Sequence, residues 1–260
     1  MTQLVRLGIR VRADRAEVAL AQLLPLFGAG VEERELDGDV EFSLYAPRGE
    51  LPRRDDIAAL VGDALVDLVS EPVAAGWERR WHEFLRPVRV GSLVVRPPWV
   101  EGDAGDLVID PGVFFGAGTH VTTQLCLRLL QDEDPGGPLC DWGAGTGVLA
   151  IAAARLGWEP VLAVESEPRA IEQISLNAMA NHVAVTTRWL DLTAEPAPWT
   201  PVAVANLPRT VLCEVLVERP PERLIASGVL AGEVHLVAAA FGMRVERTVV
   251  EGEWAGVVLA

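Results

Sequence analysis

The sequence predicts an α/β protein built from a small α+β unit followed by a larger, mostly parallel sheet. Three patterns predict this: a strand-helix-strand-strand-helix order near the start, a long alternation of strands and helices from about residue 107, and two final strands joined by a short turn. Half of the 260 residues are apolar and the mean hydropathy is +0.26, so the chain can bury a substantial core.

The first unit is predicted to be ferredoxin-like. Residues 5–11 alternate apolar and polar side chains, as a half-buried strand does, and Asp37-Gly38 is typical of a hairpin turn. The predicted elements are a strand at 5–11, a helix at 14–24, strands at 31–36 and 40–45, and a helix at 55–69. A locally basic segment, 71–96, follows and contains Trp77, Trp81 and Phe84 at the spacing of one helix face. Either this aromatic stripe packs between domains or it contacts a substrate.

The second unit is predicted to contain a mostly parallel sheet. Strands separated by helices require right-handed crossovers, whereas the turn at Glu251-Gly252 makes the last two strands antiparallel. The predicted strands are 138–142, 161–165, 183–190, 202–207, 223–227, 243–250 and 254–259, and the predicted helices are 147–156, 168–181, 210–218 and 232–241. A strand is also predicted at 88–95, ending at Pro97-Pro98.

Composition excludes several classes of function. The net charge is −15, which opposes general nucleic-acid binding, and the chain contains no lysine, which excludes lysine-based catalysis. The three cysteines and four histidines lack metal-site or disulfide spacing, so no metal is expected. No signal-like start and no membrane-length apolar run is found, so a cytoplasmic protein is expected.

The segment from Asp141 to Gly147, D-W-G-A-G-T-G, lies between a predicted strand and a predicted helix. Its glycines allow a tight turn and close approach of a ligand, and the N–H groups of the helix start face that ligand. Glu165 ends the next strand, 22 residues after Gly143, where an acid can bind ribose hydroxyls. A dinucleotide and another adenosine-containing cofactor both fit this pattern. The glycine spacing departs from the G-x-G-x-x-G of dinucleotide sites. A glycine turn that serves packing alone is the remaining alternative.

The glycine segment resembles motif I of the Rossmann-like, S-adenosylmethionine-dependent methyltransferases. The surrounding chain resembles the ribosomal protein L11 methyltransferase family (PrmA), and the resemblance extends from about residue 77 to the end. It is carried by WERRWHEFLRPVRVGSLVVRPPW (77–99), DPGVFFGAGTHVTTQLCLRLL (110–130), DWGAGTGVLAIAAARLG, VESEP, VAVANLPRTVL, SGVL (227–230) and GEW (252–254). It implies a seven-stranded methyltransferase sheet that follows the ferredoxin-like unit in the chain.

The resemblance also implies site residues. Family members hold the cofactor through positions that match Thr123, Gly143, Glu165 and Asn206, and Asp141 would lie near the methionine amino group. Gly145, Thr119 and Asp191 complete the expected cofactor site, with Asp191 directed to the adenine amino group or acting only as a helix cap. Three departures from the family pattern are Val121 in place of proline, Glu165 in place of aspartate, and Pro208-Arg209 in place of Leu-Ala.

Asn206 and His120 are the candidate catalytic residues. The amide oxygen of Asn206 would accept a hydrogen bond from the incoming amine and orient its lone pair toward the methyl group. His120 would act as a base, or it has a structural role. Phe114 and Phe115 would close over the sulfonium or pack in the core.

The implied activity is transfer of methyl groups from S-adenosylmethionine to lysine ε-amines, and possibly the α-amine, of ribosomal protein L11, free or ribosome-bound. The expected organisation is a substrate-recognition domain (1–62), a linker helix region (63–76) and a catalytic domain (77–260). We expect a monomer without membrane or sequence-specific nucleic-acid contacts. The alternatives are a related enzyme that methylates another protein or a small amine, a binding module without turnover, and a nicotinamide dehydrogenase, which the glycine spacing and terminal strand pair oppose.

Overall fold

The computed structural model describes residues 4–23, 32–47, 51–73, 85–112, 114 and 116–260, and the chain divides into two units, 1–84 and 85–260. The described part of the first unit contains β1 (Leu4–Arg12), α1 (Ala16–Leu23), β2 (Glu32–Leu36), β3 (Asp39–Pro47), α2 (Arg54–Val61) and β4 (Leu65–Pro72). The four strands form an antiparallel sheet in the order β2-β3-β1-β4. This is the order of a ferredoxin-like split βαβ unit, which confirms the predicted class.

The alternation along β1 explains how this sheet packs. Val5, Ile9 and Val11 are buried on the face that carries the core, whereas the intervening arginines pair with acids of β3. Arg6 bonds to Glu41, and Arg10 Nε lies 2.9 Å from Asp39 Oδ2. The sheet therefore has one apolar face and one face of ion pairs.

The predicted helix at 55–69 is correct only as far as Val61, and the described part of the predicted linker helix region, residues 63–73, contains a short turn and a strand. The helix α2 ends at Val61, Gly62 adopts φ 56° and ψ −128°, and a short 3-10 turn leads into β4. Residues of β4 pair with β1, for example Leu68 with Ile9, so pairing at the sheet edge outweighs the helical spacing of the apolar side chains. The predicted aromatic helix with Trp77, Trp81 and Phe84 lies outside the described residues.

The second unit begins with a small sheet formed by β5 (Val88–Val90), β6 (Leu93–Arg96) and β7 (Leu107–Val108). The helices that follow are α3 (Val121–Gln131), α4 (Val148–Leu156), α5 (Pro168–Ala180), α6 (Arg209–Glu214) and α7 (Val234–Phe241). The main sheet contains β8 (Leu139–Trp142), β9 (Val161–Glu165), β10 (Thr186–Trp189), β11 (Val202–Asn206), β12 (Arg223–Leu230), β13 (Val245–Glu251) and β14 (Trp254–Leu259).

The main sheet has the order β10-β9-β8-β11-β12-β14-β13. The strands β8 to β12 are parallel, and the last two strands, β13 and β14, are antiparallel to each other, as predicted. β14 is also antiparallel to β12. One apolar cluster packs α3, α4 and α5 on one face, and a second packs α6 and α7 on the other. The strand order reverses at β8, so the carboxyl ends of β8, β9 and β11 meet at the edge where such sheets bind ligands.

Candidate active site

The loop between β8 and α4 requires glycine at three positions. Gly143, Gly145 and Gly147 have φ values of 70°, 55° and 81°, a region that disfavours other residues. A Cβ on Gly143 would lie 2.4 Å from Leu207 Cδ2, so this glycine also permits close packing. The N–H groups of Gly143 and Ala144 both donate to Val164 O at 3.0 Å, which fixes the loop at the end of β9.

Glu165 is the last residue of β9, and its carboxylate faces this glycine loop. Oε2 accepts the Gly145 N–H at 2.9 Å, and Oε1 accepts the N–H groups of Ser166 and Glu167 at 2.8 and 3.0 Å. The carboxylate is thus oriented by backbone donors at the carboxyl edge of the sheet. The structure brings Gly143, Gly145 and Glu165 together, which the sequence predicted for a nucleoside site.

Asp141 lies beneath the glycine loop and is 0% exposed. Its Oδ2 accepts the Ala150 N–H at 2.9 Å, which caps the first turn of α4, while its Oδ1 has no hydrogen-bond partner among the described residues. Burial, with a smaller contribution from the charge of Glu165, raises the pKa of the Asp141 carboxyl to about 7. Asp141 therefore supports the loop from below.

The raised pKa of Asp141 predicts a pH-dependent stability. The folded protein holds the proton up to about pH 7, whereas in the unfolded chain the carboxyl has its ordinary pKa of 3.8, so stability falls as the pH rises between these values. The loss approaches about 4 kcal/mol above the upper pKa. Asp141→Asn removes the titration and keeps an oxygen for Ala150. We expect urea unfolding to show that the wild type loses stability relative to this variant from pH 5 to pH 8, and parallel profiles would contradict the assignment.

Asn206 ends β11 and is directed at α3. Its Nδ2 donates to Thr123 Oγ1 at 3.0 Å, and Thr123 is 1% exposed in the first turn of that helix. Because the amide nitrogen faces Thr123, the oxygen Oδ1 is turned to the other side of the amide group. A Cβ on Gly228, at φ 87°, would lie 2.3 Å from Leu207 O, so close backbone packing holds the segment after Asn206.

His120 has the geometry of a helix cap. Its Nδ1 accepts the Thr122 N–H at 3.3 Å and lies 2.8 Å from Thr122 Oγ1, and its ring packs edge-on against Trp254. A neutral histidine that accepts through Nδ1 carries its proton on Nε2, which then donates. Burial also lowers the pKa of His120 to about 4. These observations argue against the predicted role of His120 as a base.

The remaining predicted residues lie around this edge of the sheet. Asp191 follows β10, and its Oδ1 accepts the hydroxyl and the N–H of Thr193 at 2.7 and 2.9 Å, hydrogen bonds that lower its pKa. Thr119 is exposed, and its carbonyl accepts the Gln124 side chain at 2.9 Å. Phe114 is buried, while Phe115 lies outside the described residues.

Asn177 holds two backbone segments of the site together, and the sequence did not lead us to predict this role. It is 2% exposed on α5; its Nδ2 donates to Asp110 O and Thr146 O at 3.0 and 2.9 Å, and its Oδ1 accepts the Asp110 N–H at 3.0 Å. One side chain thus joins the segment at residue 110 to the glycine loop. One turn later Asn181 bonds to both backbone groups of Val108. The spacing of Gln173, Asn177 and Asn181 along one helix face was the available signal.

Arg209, one of the departures from the family pattern, has a partner. Its Nε donates to Glu233 Oε1 at 2.8 Å, and Glu233 Oε2 accepts the Leu230 N–H at 3.2 Å. The segments after β11 and β12 are therefore tied to each other beside Asn206.

No cluster of three or more metal-ligating side chains occurs in the part of the chain that the structure describes. Likewise, none of its described helices has the length and hydrophobicity needed to cross a bilayer.

These residues fit an adenosyl amino acid. A carboxylate at the end of β9 suits a ribose diol, and a glycine loop with positive φ values permits close approach of a ligand. A dinucleotide site, in contrast, has the spacing G-x-G-x-x-G, and here Val148 stands where its third glycine would be. The strand order and this loop together define a Rossmann-like methyltransferase of the class that uses S-adenosylmethionine.

Comparison with known proteins gives the family. The model of the family described as ribosomal protein L11 methyltransferase (PrmA) matches residues 61–260. A ribosomal protein L11 methyltransferase of Heliobacterium modesticaldum is 36% identical over 245 residues, which cover 86% of this chain and 75% of that protein. One from Pelotomaculum thermopropionicum is 40% identical over 194 residues, which cover 68% of this chain and 63% of that protein. The chain belongs to the ribosomal protein L11 methyltransferase family.

A solved structure supports the fold. The crystal structure of ribosomal protein L11 methylase from Lactobacillus delbrueckii subsp. bulgaricus superposes with a TM-score of 0.58 at 24% identity, covering 67% of this chain and 97% of that chain. The match with the Pelotomaculum protein spans less than two thirds of that relative's length.

Proposed function

We propose that this protein transfers methyl groups from S-adenosylmethionine to amino nitrogens of ribosomal protein L11, namely lysine ε-amines and the α-amine. The observation that carries the proposal is the hydrogen bond from Asn206 to Thr123 at the sheet edge where Glu165 meets the glycine loop. Family membership supports the same substrate, because the matched relatives bear the name ribosomal protein L11 methyltransferase.

The cofactor assignment is supported by residues with complementary chemistry. When bound, the sulfonium supplies the methyl group by in-line displacement. Glu165 would accept the ribose hydroxyls, Gly143 and Gly145 would allow the ligand to lie against the backbone, and Asp191 would take the adenine amino group. Thr119 precedes α3, Thr123 lies in its first turn and bonds to Asn206, and both would bound the amino acid end.

Asn206 would orient the acceptor amine. Its Nδ2 is engaged by Thr123, so Oδ1 would accept an N–H of the amine and direct the nitrogen lone pair toward the methyl group. The amine must be unprotonated to react, and desolvation at the sheet edge favours the neutral form. His120 would contribute by capping α3, which fixes Thr123, rather than by taking the proton.

The first unit would dock the substrate protein, either free L11 or L11 on the ribosome. Its face of ion pairs carries exposed charges of both signs, Arg34 at 58% and Glu71 at 61% side-chain exposure, which are available for such a contact. We assign the reaction to the cytoplasm and to a monomer, and the net charge of −15 favours a basic protein partner over nucleic acid.

The test is incubation of the full chain with methyl-labelled S-adenosylmethionine and unmethylated large-subunit proteins. We expect label in L11, on amines identified by mass spectrometry, and no label when L11 is omitted. Label that enters other proteins or a small amine and never L11 would reject the substrate but keep the enzyme class. Cofactor binding without transfer to any ribosomal component would reject the activity and favour a binding module.

A further inference from the structure

Trp189 is the last residue of the edge strand β10, and in the parallel register it lies opposite Glu165. The residue is 54% exposed, so its indole contributes little to the core. Its defined interaction is a hydrogen bond from Nε1–H to Ser166 O at 2.7 Å. An exposed tryptophan held by a short hydrogen bond next to a ligand-binding acid suggests a role in the site.

The acceptor of this hydrogen bond belongs to the peptide group that holds Glu165. The carbonyl of Ser166 and the N–H of Glu167 are parts of one planar peptide unit and point in opposite directions. Trp189 bonds to the carbonyl, and the N–H donates to Glu165 Oε1 at 3.0 Å. The indole, the peptide and the carboxylate thus form a continuous hydrogen-bond chain, in which each bond polarises the next.

The same turn holds Oε1 of Glu165, while the glycine loop holds Oε2. Rotation of the Ser166–Glu167 peptide would withdraw the Glu167 N–H from Oε1, which would keep the N–H and the hydroxyl of Ser166 at 2.8 and 3.3 Å, while Oε2 would keep the Gly145 N–H. The carboxylate would then sample more than one rotamer, and a ligand would have to reorder it on binding. The indole prevents this rotation from outside the turn.

We propose that Trp189 is a positioning residue for the nucleoside-binding carboxylate, acting on Glu165 through the Ser166–Glu167 peptide. The inference rests on the proposed use of S-adenosylmethionine and adds a residue that acts on its ribose end. It concerns cofactor affinity and leaves the handling of the acceptor amine to Asn206.

The chain provides a matched control. Trp199 is 45% exposed and also donates its indole N–H to a backbone carbonyl, that of Pro220 at 3.3 Å, in another loop. Trp189→Phe and Trp199→Phe therefore remove the same kind of group at similar exposure, and only the first touches the Glu165 turn.

The test is calorimetric titration of S-adenosylhomocysteine into both variants, with their melting temperatures measured in parallel. We expect Trp189→Phe to raise Kd roughly fivefold and Trp199→Phe to leave it within about twofold. In a Glu165→Gln background we expect Trp189→Phe to add less than about twofold, because its effect passes through the carboxylate.

Equal Kd values for the two tryptophan variants, or a full independent effect of Trp189→Phe in the Glu165→Gln background, would overturn the proposal. A lower melting temperature with unchanged Kd would also overturn it, since the residue would then serve stability alone. Failure of the wild type to bind S-adenosylhomocysteine is a separate outcome, and it overturns the proposed function itself.

Discussion

Replacing Asn206 by alanine is expected to reduce kcat for amine methylation by about 10²–10³-fold. The change removes the oxygen that would orient the acceptor amine, while Glu165 and the glycine loop keep their mutual hydrogen bonds. Cofactor affinity should therefore fall by much less, by less than about tenfold. Steady-state assays of labelled transfer, together with a calorimetric Kd for the cofactor, separate the two effects.

The hydroxyl that holds Asn206 provides a graded comparison. Thr123→Val keeps the shape of a buried side chain but removes the acceptor of the Asn206 Nδ2–H bond at 3.0 Å. We expect an intermediate loss of kcat, because the amide then turns more freely and still presents its oxygen part of the time. If Asn206→Ala instead lowered kcat no more than Thr123→Val does, Asn206 would not be the residue that orients the amine.

Replacing Asn177 by alanine is expected to lower the free energy of unfolding by about 3 kcal/mol. The variant would leave the N–H and the carbonyl of Asp110 and the carbonyl of Thr146 without this buried partner. Cofactor affinity should fall too, because the glycine loop loses its link to the segment at residue 110. Urea unfolding at neutral pH measures the stability effect, and calorimetry measures the affinity.

Two further variants identify the cause of the Asn177 effect. Met179→Ala lies on the same helix and is 72% exposed, so we expect little change in stability. Asn177→Asp keeps the size of the side chain but places an oxygen against two carbonyls, and we expect it to be at least as destabilising as alanine. A harmless Asn177→Asp variant would show that volume, and not donation of hydrogen bonds, is what this position needs.

The parts of the fold that were predictable depend on local pattern. Period-2 alternation marked β1, and strands separated by helices implied the parallel order that β8 to β12 adopt. The turn at Glu251-Gly252 implied the antiparallel terminal pair. In these places a short stretch of sequence carries the information that determines the structure.

The missed features depend on contacts between distant segments. β4 has apolar residues at helical spacing, and only its pairing with β1 makes it a strand. Asn177 is a polar residue on an amphipathic helix, where a polar side chain usually faces solvent. Its three hydrogen bonds to backbone groups depend on segments 31 and 67 residues away. The predicted single strand at 88–95 is instead a hairpin of β5 and β6, because the chain turns at Gly91 with φ 58°, and β7 has only two residues and gives no periodic signal.

The candidate site likewise has residues whose positions were predictable from local sequence and residues whose roles depend on contacts between distant segments. The glycine loop, Glu165 and Asn206 were predictable because strand ends in a parallel sheet converge. The capping role of His120 was not, since it depends on which ring nitrogen accepts the Thr122 N–H. The burial of Asp141, which raises its pKa to about 7, also depends on how α4 packs over it.

The central claim is that the loop ending at Gly147 and the carboxylate of Glu165 bind an adenosyl amino acid. Isothermal titration of the purified full chain with S-adenosylmethionine, S-adenosylhomocysteine and a nicotinamide dinucleotide tests it most directly. We predict saturable binding of the first two, weakened in Glu165→Gln, and no binding of the third. Saturable binding of the dinucleotide with no heat from either adenosyl compound would contradict the account.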